Sequence, residues 1–118
     1  MKNYIKSGDV LDHTPSSAVT GGQVVAMQDT AGVAVGDIAS GETGAVAVTG
    51  MYEVAKVSGT AWTMGARLTW DTSAGGFVPT AGHTSDTGDI VDCAIAAADA
   101  TSGATVGKVK LTNPGTVQ

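Results

Sequence analysis

The chain has 118 residues, 42% of them apolar, with a formal net charge of −5 and a pI of about 4.6. This length fits one domain, and the acidic balance argues against a nucleic-acid-binding surface, which requires clustered Lys and Arg. No apolar run approaches the roughly 18 residues of a membrane-spanning helix, and the start lacks the hydrophobic region of a signal peptide. We therefore expect synthesis in the cytoplasm and partners other than nucleic acid or membrane.

The apolar residues are mostly small: 18 Ala and 15 Val accompany only 3 Leu, 4 Ile and 1 Phe. A core of Ala and Val gains less free energy per residue than one of Leu and Phe. The single cysteine, Cys93, cannot form a disulfide within the chain. We therefore expect subunit association to add stability, and Cys93, in "IVDCAIAAA", to be a packed hydrophobe rather than a nucleophile.

The chain begins with "MKNYIKSGDVLDHTP", in which two lysines, a tyrosine and an isoleucine precede the first glycine. We interpret residues 1–8 as an N-terminal arm and residues 9–118 as one β domain. A frayed terminus is the alternative interpretation of the arm. The first predicted strands, in chain order, are Asp9–Asp12, Gln23–Met27, Gly32–Ile38, Ala45–Thr49 and Met51–Val57.

The middle of the chain contains a helical candidate, "SGTAWTMG", which would form one turn at most. Trp62 within it is predicted to be free to contact a partner, because large amphipathic rings are favoured at interfaces. The following "MGARLTWD" alternates with period two. Its predicted outward residues are Arg67, Thr69 and Asp71, and its predicted inward residues are Met64, Ala66, Leu68 and Trp70.

The last strands show the same alternation. "DIVDCAIA" is predicted to bury Val91, Cys93 and Ile95, with a loop after it. "TVGKVKLTN" is predicted to bury Gly107, Val109 and Leu111 and to expose Lys108, Lys110 and Thr112. Glycine-containing segments separate the strands ("TGG", "SGETG", "SAGG" and "NPG") and indicate turns with positive φ. The predicted fold is therefore mainly β: a small barrel-like, β-clip or β-tulip domain of short antiparallel strands and hairpins with at most one helical turn.

The residues needed for catalysis or cofactor binding do not occur at workable spacing. The sequence contains no dinucleotide fingerprint and no nucleophile elbow, and "GATVGKV" lacks the length and the hydroxyl of a phosphate-binding loop. His13 and His83 each lie near an aspartate, a pairing that can serve a metal or a general base, but we interpret them as surface turn residues with local hydrogen bonds. Asp86 and Asp89 match no calcium loop and are predicted to lie at a polar loop tip. We predict no enzyme activity, cofactor or metal.

Four segments in succession resemble phage capsid cement, or head decoration, proteins: "NYIKSGDVLDHTP", "VAVGDIASGETGAVAVTGMYEVAKV", "GARLTWD" and "GKVKL". That family has sometimes carried a RecA/RadA-like recombinase label, which would require the nucleotide site that is missing here. The resemblance implies a compact β domain similar to the decoration protein of lambda-like heads, acting as a homotrimer on the outer surface of the virion. The stretch "FVPTAGHTSDTGD" is longer than the family pattern leads us to expect.

The resemblance also suggests a role for the arm. An extended segment can add a strand to an exposed sheet edge of the major capsid protein. The predicted capsid-binding residues are Lys2, Asn3, Tyr4, Ile5, Lys6, Gly8 and Asp9, and further possible interface residues are Trp62, Lys108 and Lys110. The rival hypothesis is a carbohydrate or cell-surface binding β module whose site combines Trp62 with "AGHTSDTGD".

Overall fold

The computed structural model describes residues 8–118, which form ten β-strands and no helix. Accordingly, no helix in this part of the chain could cross a membrane. The strands are β1 (Val10–His13), β2 (Val24–Met27), β3 (Thr30–Ala34), β4 (Gly44–Ala47), β5 (Met51–Ala55), β6 (Arg67–Asp71), β7 (Gly76–Pro79), β8 (Ile90–Ala96), β9 (Val106–Leu111) and β10 (Thr116–Val117).

The first four strands form an antiparallel sheet in the order β1-β4-β3-β2. Small residues let its strands and loops approach closely. A Cβ atom on Gly32 of β3 would overlap the side chain of Val46 on β4. Val46 is fully buried in a small cluster of its own with Val25, Ala34 and Ile38. The sheet therefore carries an apolar cluster that is separate from the main core.

The remaining strands form a second sheet in the order β5-β9-β8-β6-β7, with β10 paired to β8. This sheet curls until its two outer strands meet. Lys56, directly after β5, forms a parallel bridge with Phe77 of β7, and the Val57 amide donates a 3.0 Å hydrogen bond to the Phe77 carbonyl oxygen. We call this curled sheet the barrel. The prediction of a mainly β, barrel-like fold is confirmed.

The main core is built mostly from residues of the barrel and includes two residues of the four-stranded sheet. Leu68, Phe77 and Ile90 are fully buried there, and the Trp70 and Phe77 rings pack edge to face with centroids 5.1 Å apart, a favourable geometry for aromatic pairs. Ala31 and Val33 of β3 belong to the same cluster. The two sheets are therefore held together by one shared hydrophobic core.

Residues 112–118, which follow β9, join the two sheets by hydrogen bonds. The Asn113 side chain accepts from the Ala31 amide at 2.9 Å and donates to the Ala31 and Val48 carbonyl oxygens at 2.6 and 3.1 Å. Asp29, in the β2–β3 turn, accepts from the Gly115 and Val117 amides, each at 2.8 Å. Since β10 pairs with β8 of the barrel, the 112–118 segment contacts both sheets at once.

The β8 strand departs from simple alternation because it contains a bulge. Between two pairs with β6, Leu68 with Ala94 and Trp70 with Ile90, β6 advances two residues and β8 advances four. The additional β8 residues form the bulge, and Asp92 within it has a φ of 58°. The predicted burial was right for Cys93 and wrong for Val91 and Ile95, which are only half-buried. The buried positions of β8 are Ile90, Cys93, Ala94 and Ala96.

Two assignments around β6 were also wrong. Met64 was predicted to face inward but is 68% exposed, because the strand begins only at Arg67, after a turn at Gly65. Thr69 was predicted to face outward but is fully buried. Its hydroxyl lies 2.9 Å from that of Thr80, which donates a 2.8 Å hydrogen bond to Asp92. The buried Thr69 hydroxyl therefore has a hydrogen-bond partner.

Strand boundaries in the first half of the chain agree with the predictions to within a few residues. The largest difference is at β3, which ends at Ala34, whereas the predicted strand continued to Ile38. The "SGTAWTMG" segment forms turns and no helix, and the "NPG" glycine, Gly115, does not adopt positive φ. The β7 and β10 strands were missed; β7 includes the first residues of "FVPTAGHTSDTGD".

The Asn113 contacts predict a stability change. Replacing Asn113 by Ala leaves the Ala31 amide and carbonyl without partners, so we expect Asn113→Ala to lower the free energy of unfolding by about 2–3 kcal/mol in urea titrations. Thr112→Ala, at the exposed neighbouring position, is the control and should change it by less than about 0.5 kcal/mol. Equal effects of the two substitutions would show that the Asn113 amide does not join the sheets.

Candidate functional site

The predicted arm lies mostly outside the described residues: Lys2, Asn3, Tyr4, Ile5 and Lys6 all precede residue 8. Gly8 and Asp9 are described and exposed, and Gly8 has a φ of +85°. The Asp9 carbonyl oxygen accepts a 3.0 Å hydrogen bond from the Val48 amide. The arm therefore enters the domain at β1, an outer strand of the four-stranded sheet.

The two lysines of β9 lie on the barrel's outer surface. Lys108 and Lys110 are exposed, whereas Gly107, Val109 and Leu111 between and beside them are buried. The prediction of alternate burial along this strand is confirmed. Both ammonium groups are therefore directed away from the core.

Pairing across the barrel brings further residues to the same surface. Arg67 of β6 is opposite Ile95 of β8, Ile95 is opposite Lys110, and Lys110 is opposite Met51 of β5. Directly paired residues project to the same side of a sheet. One transverse row thus contains two cations and two large apolar side chains. Local sequence pattern did not group these residues, because they come from four separate strands.

Two further pairs lie beside this row: Lys108 is opposite Glu53, and Val106 is opposite Ala55. We call the outward surface formed by the row and these two pairs the basic face. Its cationic and large apolar residues are Met51, Arg67, Ile95, Val106, Lys108 and Lys110. Within residues 8–118, these three cations are the exposed ones, since the fourth, Lys56, is only 4% exposed.

Trp62 does not lie on this surface, and the prediction that it is free to contact a partner was wrong. The residue is 4% exposed, and its indole nitrogen donates a 2.9 Å hydrogen bond to the Ala98 carbonyl oxygen. The Lys56 ammonium lies 5.3 Å from the ring centroid, and Gly107 lies so close that a Cβ atom there would overlap the ring. The indole ring and its N–H group therefore both make contacts within the domain.

Cys93 is fully buried, as predicted for a packed hydrophobe. Burial raises the pKa of its thiol to about 11. Because the thiolate is the nucleophilic form of cysteine, this side chain is unreactive at neutral pH. Its side chain fills part of the main core.

The loop before β8 is organised by a buried carboxylate. Asp89 was predicted to lie at a polar loop tip, but it is fully buried. Its side chain accepts hydrogen bonds from the Thr72 and Asp86 amides at 3.1 and 3.0 Å and lies 3.2 Å from His83 Nε2. Asp86 is exposed, as predicted. Burial acts to raise the pKa of Asp89, but the hydrogen bonds from Asp86, His83 and Thr72 outweigh it and hold the pKa below its ordinary value of 3.8.

Asp71 lies near this pair, and Asp71, His83 and Asp89 each have one potential metal-ligand atom within 4.8 Å of the others. The Asp71 carboxylate accepts from the Ser73 hydroxyl at 2.9 Å and the Ala74 amide at 3.1 Å, within the β6–β7 turn. Hydrogen bonding therefore accounts for the position of both carboxylates. The prediction that His83 makes local hydrogen bonds is confirmed by its contact with Asp89, but its side chain is only 19% exposed and so is less of a surface residue than predicted.

The model of a family described as phage cement protein matches residues 5–111, which includes every strand from β1 to β9. A search of curated proteins found no match.

The buried carboxylate predicts a pH dependence. Because the folded pKa of Asp89 is lowered, the ionised group contributes stability that is present above pH 3.8 and is lost as the pH falls through the lower folded value. We expect Asp89→Asn to lower the free energy of unfolding at neutral pH by about 1–3 kcal/mol, because the new amide group cannot accept both backbone hydrogen bonds. Its stability should then fall less steeply than that of the wild type in urea titrations at decreasing acid pH.

Asp86→Asn is the matched control, since it removes one carboxylate from the same loop at an exposed position. It should retain the wild-type acid dependence. An acid dependence of Asp89→Asn identical to that of the wild type would contradict the assignment.

Proposed function

The chain belongs to the phage cement protein family, and from this premise we propose that it binds the outer surface of the capsid and cements neighbouring major capsid protein subunits. A structural role in the phage capsid follows from the family itself. The observation that carries the finer proposal is the extent of the match, residues 5–111, which includes part of the arm together with both sheets. The protein would be made in the host cytoplasm and would function on the virion.

In this proposal the N-terminal arm, residues 1–8, contacts the shell. An extended segment gains main-chain hydrogen bonds when it adds to an exposed sheet edge, and alternate side chains fill pockets in the partner. Tyr4 and Ile5 supply the apolar contacts, while Lys2 and Lys6 face acidic capsid residues. Support comes from the exposure of Gly8 and Asp9 at the start of β1.

Homotrimer formation is the second part of the proposal. A trimer that contacts several shell subunits binds through several arms at once, and each further arm acts at a high effective concentration. The small side chains of the core support this view, because a core of Ala and Val leaves a thin stability margin for one copy alone. Binding energy gained between subunits would then resist their separation.

No chemical step is needed for this role, and we propose that the protein is not an enzyme. The buried Cys93 thiol and the hydrogen-bonded Asp89 carboxylate both have structural explanations. The carbohydrate-binding alternative required Trp62 to form a site together with "AGHTSDTGD". Because the Trp62 ring is 4% exposed, the geometry does not favour that alternative.

The arm hypothesis predicts a loss of binding. We expect the double substitution Tyr4→Ser and Ile5→Ser to weaken binding to undecorated heads by about tenfold or more, because each large apolar side chain buried in a partner contributes about 1.5–3 kcal/mol. Binding is measured by co-sedimentation of purified protein with heads. The melting temperature should not change, since both residues precede the described β domain.

Tyr4→Phe with Ile5→Val is the matched control, because it keeps the apolar bulk at both positions, and it should bind within about threefold of the wild type. Unchanged binding of the serine variant would remove the arm from the mechanism but leave the capsid role in place. Failure of the wild type to bind heads would contradict the proposed function itself.

A further inference from the structure

We propose that the basic face of the barrel is a docking surface for an acidic, partly apolar patch of a shell subunit. This inference rests on the proposed function and adds to it a second contact, made by the folded domain rather than by the arm. The face combines exposed cations with exposed large apolar side chains on one rigid sheet.

The geometry of the face is fixed by backbone pairing. Arg67, Ile95, Lys110 and Met51 occupy consecutive strands in direct register, so their side chains share one side of the sheet without any loop between them. Neighbouring antiparallel strands lie about 4.8 Å apart, so the row spans roughly 14 Å. Contact residues held on strands need little ordering upon binding, which lowers the entropic cost of association.

The apolar part of the face is unusually accessible. Met51 is 69% exposed and Val106 is 52% exposed, and no other described segment covers them. A groove of about 440 Å³ opens beside Met51, lined by Tyr52, Glu53, Ala97, Ala98 and Lys108. Met is among the residues enriched at protein interfaces, and the groove offers space for an apolar side chain of the partner.

The charges determine the kind of partner. Arg67, Lys108 and Lys110 are the exposed cations of residues 8–118, on a chain whose net charge is −5. Two acids offset part of the charge: Glu53 is paired opposite Lys108, and Asp92 lies 4.0 Å from Arg67. Lys110 differs, since its paired neighbours are Ile95 and Met51.

These charges favour an acidic partner at this face in particular. Elsewhere on residues 8–118, the exposed charges are acidic and would repel such a partner, whereas complementary charge here steers the encounter and fixes the orientation. An uncharged or basic partner would gain nothing from Lys110. The face therefore fits an acidic protein surface with apolar side chains beside the carboxylates.

The test is Lys108→Gln with Lys110→Gln, compared with the wild type for binding to undecorated heads at low and high salt. The change lowers the net charge by two at exposed positions and should leave the melting temperature unaltered. We expect at least tenfold weaker binding at low salt and a smaller difference at high salt, where surface charges are screened. The control, Ser17→Glu with Ala39→Glu, changes the net charge equally at exposed positions of the other sheet's loops and should bind within about threefold of the wild type.

The outcomes separate this inference from the proposed function. If the wild type binds heads and the lysine variant binds as well as the control, the docking surface is overturned and the capsid role stands. If the wild type does not bind heads, both are overturned. The self-association of the wild type and of the lysine variant is measured by sedimentation without heads. If the lysine variant loses self-association together with head binding, the basic face is an interface between copies of this chain, and docking to the shell is overturned.

Discussion

The arrangement of the two sheets depends on the Asn113 side chain. Its amide acts toward Ala31 as a strand neighbour would, accepting from the backbone nitrogen and donating to the carbonyl oxygen, and it also reaches Val48. The Asp29 contacts with Gly115 and Val117 extend this connection. Since β10 then pairs with β8, residues 112–118 fix the four-stranded sheet against the barrel. The four-stranded sheet contributes small side chains, Ala31 and Val33, to the shared core, and each Ala or Val contributes little burial. The hydrogen bonds of residues 112–118 therefore add to a modest hydrophobic contact.

The same small residues determine how closely the chain can pack. Gly32 allows β3 to approach Val46, and Gly107 allows β9 to lie against the Trp62 ring. The Lys56 ammonium lies 5.3 Å from the Trp62 ring centroid and donates to the Val57 carbonyl oxygen at 3.1 Å. A buried cation is tolerated only when such partners are present. Among residues 8–118, Lys56 is thus buried, whereas Lys108 and Lys110 are directed outward.

Local pattern predicted the parts of the fold that depend on local geometry. Alternation along β9 identified Lys108 and Lys110 as outward, because that strand is regular along its length. The same reasoning was wrong for Val91 and Ile95, because the bulge at Asp92 shifts the alternation of β8, and a bulge is set by the partner strand. Thr69 was misplaced for a related reason: its hydroxyl is satisfied by Thr80, eleven residues away, so burial carries no penalty.

Local sequence pattern also could not predict the basic face as a whole. Sequence reasoning identified two of its cations, but the row that joins Arg67, Ile95, Lys110 and Met51 exists only through strand order. Trp62 was misassigned because its interior partners, Ala98 and Gly107, are distant in sequence. The arm remains a prediction, since most of it precedes the described residues. Its role was inferred from composition and family resemblance, and the domain contributes the exposed entry point at Gly8 and Asp9.

The central claim is that this small β domain contacts the capsid from outside. The most direct measurement is electron cryomicroscopy of heads assembled with and without the protein, followed by a difference map. The account predicts additional density on the outer surface, of a volume suited to copies of an 11.6 kDa chain and bridging adjacent shell subunits. Identical maps, or additional density confined to the interior of the shell, would contradict it.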